Sequence, residues 1–395
     1  MKSVMPERRR VAITGIGVVS PVGIGEEAYW RGLLAPQPSG ERGAHDFDPK
    51  TCYADPKSIR RADRFEQFAL SAAQQALAQS GAPDASPDRI GVLLGSGVGG
   101  ILTHEDQTLV LERKGARRVS PFTIPMLMPN AGAAAISIEY GFEGPCETIS
   151  TACASGTHSI AQAARWIQWD LCDAVVAGGS EAGMSPIGKS GFTNMKALSR
   201  SGVSRPFDEG RDGFVLSEGA GVLMLEEWEH ASRRGATILG ELLGSASLAD
   251  AHHITAPAPG GRGAIRCMER AIQDAQLQPR DIAHINAHGT STSLNDAAEA
   301  IAISKIFGFP GPIVTSVKGV TGHSLGAAGA LEAVAVVLSM QHRLVPPTDG
   351  LERVDPALPK IDLVQKQARS WTPGPSLSNS FGFGGHNGTL VIGPA

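Results

Sequence analysis

Short apolar runs of strand character alternate along this chain with longer stretches of helical periodicity, and this alternation narrows the possible folds more than any other feature. Strand-like runs fall at 11–14, 90–94, 174–177, 221–226, 238–243, His284–Asn286, 313–317 and 389–392, and apolar residues recur at helical spacing in 64–79, 157–169, 263–275, 296–307 and 327–340. Strands interleaved with helices predict an α/β protein with mainly buried sheets. The portion up to about residue 230 and the portion from about 238 each hold several strands and a Gly/Ser-rich turn opening an apolar helix, which fits two similar halves, 1–236 and 237–395, with a seam at 229–237. Segments 46–63 and 102–118 are more polar and are expected outside the core.

A chain of 395 residues can bury a large core. With 42% apolar and 19% charged residues, it reads as globular rather than disordered or fibrous. A net charge of −4 gives no electrostatic case for nucleic-acid binding. Arg8, Arg9 and Arg10 precede an apolar run at 11–19, as in a secretory leader. That run is interrupted by Thr14, Gly15 and Gly17, and it meets Ser20-Pro21 without a small-x-small cleavage site. No run approaches the roughly 18 continuous apolar residues of a membrane span, and a cytoplasmic location is expected. The five cysteines, Cys52, Cys146, Cys153, Cys172 and Cys267, form no C-x-x-C pair, so neither a zinc knuckle nor a disulfide framework is suggested. Each is by default a small buried side chain. One has unusual neighbours.

That one is Cys153, in Ser150-Thr151-Ala152-Cys153-Ala154-Ser155-Gly156, just ahead of a helical run. Small flanking residues let a substrate approach, and a helix N-terminus favours thiolate, so a lowered pKa is expected. A buried structural cysteine in a tight turn fits the residues as well. Two histidines also stand in glycine-rich strand ends: His288 in Asn286-Ala287-His288-Gly289-Thr290-Ser291-Thr292, and His323 in Lys318-Gly319-Val320-Thr321-Gly322-His323-Ser324-Leu325-Gly326. With the cysteine they make a candidate assembled site. A fourth segment, Asn379-Ser380-Phe381-Gly382-Phe383-Gly384-Gly385-His386, can aim backbone N–H groups at an oxyanion, or simply be a hairpin with buried aromatics.

Three rival motifs weigh less. Gly322-His323-Ser324-Leu325-Gly326 matches G-x-S-x-G, but a nucleophile elbow needs a strand running straight into it, and residues 318–321 intervene. Gly95-Ser96-Gly97-Val98-Gly99-Gly100 matches G-x-G-x-x-G, yet the region where an acidic strand end belongs reads Arg113-Lys114-Gly115-Ala116-Arg117-Arg118. His284 with His288, or His252 with His253, lack partners at ligand spacing, so no metal is expected.

Taken in order, T-A-C-A-S-G, N-A-H-G-T-S-T, K-G-V-T-G-H-S-L-G-A-A-G and N-S-F-G-F-G-G resemble the β-ketoacyl-[acyl carrier protein] synthases of the thiolase-like superfamily, closest to synthase II, along nearly the whole chain. The resemblance implies a five-layered α-β-α-β-α fold from two duplicated halves, working as a homodimer, and decarboxylative condensation in fatty-acid elongation. It also leaves open a type II polyketide ketosynthase with a chain-length partner, or a non-catalytic partner subunit. Cys153 would accept the acyl group. His288 and His323 would promote decarboxylation of malonyl-carrier protein, with Lys318 and Glu332 nearby. The backbone N–H groups of Cys153 and Phe383 would form the oxyanion hole. Val98, Phe192 and Phe381 would line the acyl site, and Thr290 and Thr292 would hold the phosphopantetheine arm. Arg60, Arg61, Arg117, Arg118 and Lys196 would meet an acidic acyl carrier protein. The resemblance implies no cofactor or metal. His386, where many members have threonine, and Ser324, where an apolar residue is common, depart from the pattern.

Overall fold

A computed structural model describes residues 8–36 and 40–395. The chain opens with β1 (Val11–Ser20), every residue of which is buried. The glycines that break its apolar run have a packing role. A Cβ on Gly17 would stand 1.8 Å from the Ala72 carbonyl oxygen, so only a bare backbone lets helix α1 (Arg64–Ser80) lie this close to the strand. The run that resembles a secretory leader is therefore a central strand.

The remaining main strands are β2 (Ile90–Gly95), β3 (Cys146–Ile149), β4 (Ala174–Glu181), β5 (Gly219–Glu227), β6 (Gly240–Ala249), β7 (His284–Asn286), β8 (Ile313–Thr315), β9 (Ser376–Gly382) and β10 (His386–Gly393). They join in one twelve-stranded sheet. Its order is β3-β2-β4-β5-β1-β6-β10-β9-β7-β8, with Asp362–Leu363 beyond β8 and Gly23–Ile24 beside β1. The two ends repeat each other. In each, the first strand lies antiparallel to the last, the last antiparallel to the fourth, and the fourth, second and third run parallel. The halves meet at a short seam between β1 and β6, Ala12 opposite Glu241 and Ile13 opposite Gly240.

Helices complete five layers. α1 and α3 (Ala131–Tyr140) cover the outer face of the first half-sheet, and α5 (Arg262–Asp274) with α6 (Ser293–Phe307) covers that of the second. Between the half-sheets lie α4 (Ser155–Gln168) and α8 (Ala328–His342), within a core cluster drawing on β1, β4, β5, β10 and both helices. The segment Leu325–His342 is apolar and long enough on average to cross a membrane, but 89% of it is buried between the sheets, where a core helix with no solvent face belongs.

One of the two expectations about the periphery needs correction. Segment 46–63 is not wholly outside the core: Phe47, Cys52, Ala62 and Asp63 are buried against α1 and its neighbours. Segment 102–118 does lie outside, mostly as helix α2 (Ile101–Lys114), of which only Thr103 is buried. Cys146 is exposed on the edge strand β3, unlike the buried Cys52, Cys172 and Cys267. Strands β3 and β9 escape a hydrophobic scan for different reasons. β3 is short and half exposed, whereas β9 is Ser, Asn or Gly at five of its seven positions and is largely buried by pairing on both sides with β7 and β10.

Candidate active site

The chemistry-bearing residues collect where parallel strands end. Cys153 follows β3, His288 follows β7, His323 follows β8 and a one-turn helix α7 (Lys318–Thr321), and Phe383 follows β9. A strand end frees the chain to turn, and glycines and small residues there leave room for a ligand. Cys153 sits two residues ahead of α4 and is 7% exposed. Its turn is closed by Ser155, whose hydroxyl accepts from the Thr151 N–H at 2.9 Å and donates to the Ala152 carbonyl at 2.6 Å.

Cys153 Sγ lies 3.0 Å from His323 Nε2, a contact between residues 170 apart in sequence. The His323 backbone is held by β-type bonds to 215–217: its N–H donates to Val215 at 2.7 Å and its carbonyl accepts from Ser217 at 3.1 Å. Phe214 presses edge-on against the His323 ring, centroids 5.2 Å apart, and the His288 ring lies 5.5 Å away at nearly a right angle. His288 is anchored by its backbone, because Glu299 accepts from the N–H groups of His288 at 2.9 Å and Gly289 at 2.8 Å. Lys318 Nζ donates to the His288 carbonyl at 2.8 Å, approaches His288 Nδ1 at 3.2 Å and pairs with Glu332. An ammonium facing Nδ1 leaves that nitrogen as acceptor and puts the ring proton on Nε2. Among the described residues His323 Nδ1 has no hydrogen-bond partner, so only the Cys153 contact at Nε2 bears on its tautomer.

The expected thiolate is not what this environment favours. Burial pushes the Cys153 thiol up to about 11, and it outweighs the Lys318 charge and the backbone N–H groups of Phe383 and Cys153, which face the sulfur and pull the other way. Cys153 also precedes the helix rather than capping it, so the field of α4 reaches it weakly. Burial likewise holds His323 and His288 well below the ordinary histidine range, with the Lys318 charge adding to the effect. Burial therefore weighs against charge on both members of the Cys153–His323 pair.

These groups open into a cavity of about 490 Å³. Cys153, His288 and His323 are on its wall, as are Val98, Phe192, Phe381 and Phe383, and also Thr290 and Thr292, whose hydroxyls are 3.0 Å apart. Lys196 stands exposed at its rim. Arg60, Arg61, Arg117 and Arg118 are exposed elsewhere on the surface, Arg61 with its guanidinium over the Phe122 ring. Loop 379–388 is a hairpin, and its turn also aims an N–H at the sulfur. His386 packs against Gly384 and faces the His158 ring at 6.4 Å. Ser324 is buried, so the G-x-S-x-G segment presents its histidine and not its serine. The glycine turn at 95–100 directs its N–H groups at Glu181.

Sequence reasoning misses Glu181, Glu299 and Phe214. A signal for Glu299 exists: Asp296 and Glu299 sit at i, i+3 on the buried face of a helix, where unpaired acids are uncommon. Glu181 ends a strand-like run without a comparable cue.

A thiol within proton-transfer distance of one imidazole and beside a second, under converging backbone N–H groups, suits acyl transfer, and the duplicated α/β scaffold that carries it is that of a thiolase-like acyltransferase. Residues 35–231 match "Beta-ketoacyl synthase, N-terminal domain" and residues 239–352 match "Beta-ketoacyl synthase, C-terminal domain". The chain belongs to the β-ketoacyl synthase family. It is 43% identical to 3-oxoacyl-[acyl-carrier-protein] synthase 2 of Synechocystis sp., over 98% of both chains. Its fold matches the ishigamide ketosynthase/chain length factor with a TM-score of 0.91 and 31% identity, over 98% of this chain and 100% of the other. It also matches a type II polyketide acyl-carrier protein complex with its ketosynthase bound to the hexaketide, at 0.88 and 29% identity over 98% and 100%.

Proposed function

We propose that this chain condenses an acyl thioester carried on Cys153 with malonyl-[acyl carrier protein], giving a 3-oxoacyl-[acyl carrier protein] in fatty-acid elongation. The observation that carries this reading is the 3.0 Å contact between Cys153 Sγ and His323 Nε2, with His288 beside it. As the sulfur attacks the carrier thioester carbonyl, its proton passes to His323, and the departing pantetheine thiol takes that proton back. The N–H groups of Cys153 and Phe383 receive the charge of the tetrahedral intermediate. The malonyl carboxylate then leaves as carbon dioxide. The enolate oxygen accepts from His288 Nε2–H, oriented by Lys318, and from His323 in its other tautomer. The carbanion attacks the Cys153 thioester, the acyl–sulfur bond breaks, and the sulfur leaves as thiolate and takes up one proton from solvent to restore the thiol. No step of this chemistry asks for a metal or organic cofactor.

Arg60, Arg61, Arg117, Arg118 and Lys196 are the proposed contacts for an acidic carrier protein, and Thr290 with Thr292 for its arm. A cytoplasmic homodimer is the proposed working form, supported by the apolar surface around α3 and the free edge of β3. A second reading, a polyketide ketosynthase with a chain-length partner, is favoured by the ketosynthase structures matched above, although identity to synthase 2 is higher. Offering radiolabelled acyl-carrier protein and malonyl-carrier protein to the purified chain separates the readings. Label on Cys153 and condensation without a second subunit support elongation; strict dependence on a partner supports the second reading; no label at Cys153 rejects both. Cys153→Ser should abolish condensation in a folded protein, and Cys153→Gln should leave decarboxylation active.

A further inference from the structure

Glu181, the last residue of β4, is fully buried, and among the described residues no Lys, Arg or His pairs with it. Its carboxyl is satisfied by four hydrogen bonds instead. Oε1 accepts from Ser96 Oγ at 2.9 Å and from the Val98 N–H at 3.3 Å. Oε2 accepts from the N–H groups of Gly97 at 2.6 Å and Gly326 at 3.0 Å. Three donors thus come from the turn that places Val98 on the cavity wall, and the fourth comes from three residues beyond His323. The two backbones nearly touch: a Cβ on Gly326 would stand 2.4 Å from the Gly97 nitrogen and 2.7 Å from Glu181 Oε2.

A buried carboxyl keeps its donors, because an unmatched one is costly in an apolar interior. Displacement of Gly97 and Val98 therefore moves the carboxyl, and with it Gly326. The titratable groups facing Cys153 are His323, Lys318 and Glu181, and the negative charge of Glu181 opposes ionisation of the thiol. We propose that Glu181 is a positioning residue, one that ties the acyl-cavity wall to the turn bearing His323, so that the chain lying against Val98 is registered at the Cys153–His323 pair. This rests on the reading that Cys153 is acylated.

The test compares the full-length protein with Glu181→Gln and Glu181→Asp. Three quantities are read: thermal unfolding, the pH dependence of Cys153 alkylation by iodoacetamide, and kcat/KM for butanoyl- against dodecanoyl-carrier protein. Glu181→Gln removes the charge and turns half of the acceptor into a donor facing N–H groups. Its alkylation midpoint should fall, and the ratio of the two chain lengths should change by about tenfold. Glu181→Asp keeps the charge but shortens the reach, so it should shift the chain-length ratio while leaving the alkylation midpoint in place. The same ratio as the unaltered chain in both variants, or equal losses for both substrates accompanied only by lower thermal stability, would overturn the proposal. If Glu181→Gln does not fold, Glu181→Asp decides by its ratio alone. Failure of the unaltered chain to acylate Cys153 is a separate result and rejects the functional reading itself.

Discussion

Cys153 Sγ and His323 Nε2 face each other across 3.0 Å, with both residues buried. Burial pushes the thiol up to about 11 and holds the imidazole well below 6.5, so it disfavours the thiolate–imidazolium form. On the proposed mechanism, the nucleophile is generated as the substrate reacts. Carboxymethylation of Cys153 in the free enzyme should accelerate about tenfold per pH unit from pH 7 to 9. A rate already level below pH 7 would mean that a preformed thiolate exists. Which cysteine and which histidines matter is readable from their motifs. The direction of the Cys153 shift is not, because a helix N-terminus and burial act in opposite senses and only the packing decides between them.

Strand β7 shows what alternation patterns leave out at the scale of an element. It is three residues long, buried throughout, and carries His284 and Asn286. His284 packs beside Trp371 with centroids 5.3 Å apart, and among the described residues neither of its ring nitrogens has a hydrogen-bond partner. Burial pulls it down to about 3. Between that value and the ordinary 6.5, the unfolded chain binds a proton that the folded chain refuses. The stability this group permits is thus fully present above about pH 6.5 and is lost as pH falls toward 3, at up to roughly 1.4 kcal/mol per unit. His284→Phe should flatten that part of the profile, so the gain in melting temperature over the unaltered chain should be larger at pH 5 than at pH 7.5. Equal gains at both pH values would show that the ring is protonated in the fold. The neighbouring strand β9 was illegible for a related reason. Its polar side chains find partners across the sheet, as Thr389 donates to Asn379 at 2.9 Å, and a hydrophobic pattern cannot register such pairing.

At the scale of the molecule, one stretch of exposed apolar surface adjoins a free sheet edge. Ile138 on α3 is 82% exposed, Ile124 is 61% exposed, and β3 offers its outer edge nearby. A surface of this kind is expected between subunits. Ile138→Asp should shift a dimer toward monomer in sedimentation velocity, with loss of condensing activity at low protein concentration. A dimer of undiminished affinity would place the contact on another face. The α/β class was legible from the alternation of elements and the five layers from the resemblance that the motif order carries, whereas the repeat of the two half-sheets shows in their strand topology. Their junction was not legible, since two residue pairs between β1 and β6 leave no periodic trace.

The identity of the reactive groups and the class of chemistry belong to the sequence itself. A cysteine among small residues, and histidines in glycine-rich strand ends, are chemically specific wherever the chain carries them. What only the folded molecule decided is how those groups behave. Bringing residue 323 against residue 153, sealing both from water and stapling the acyl wall to the histidine turn through Glu181 all depend on distances between segments far apart along the chain. Coulomb and solvation energies depend on such distances, and these arise only when the two half-sheets close on α4 and α8.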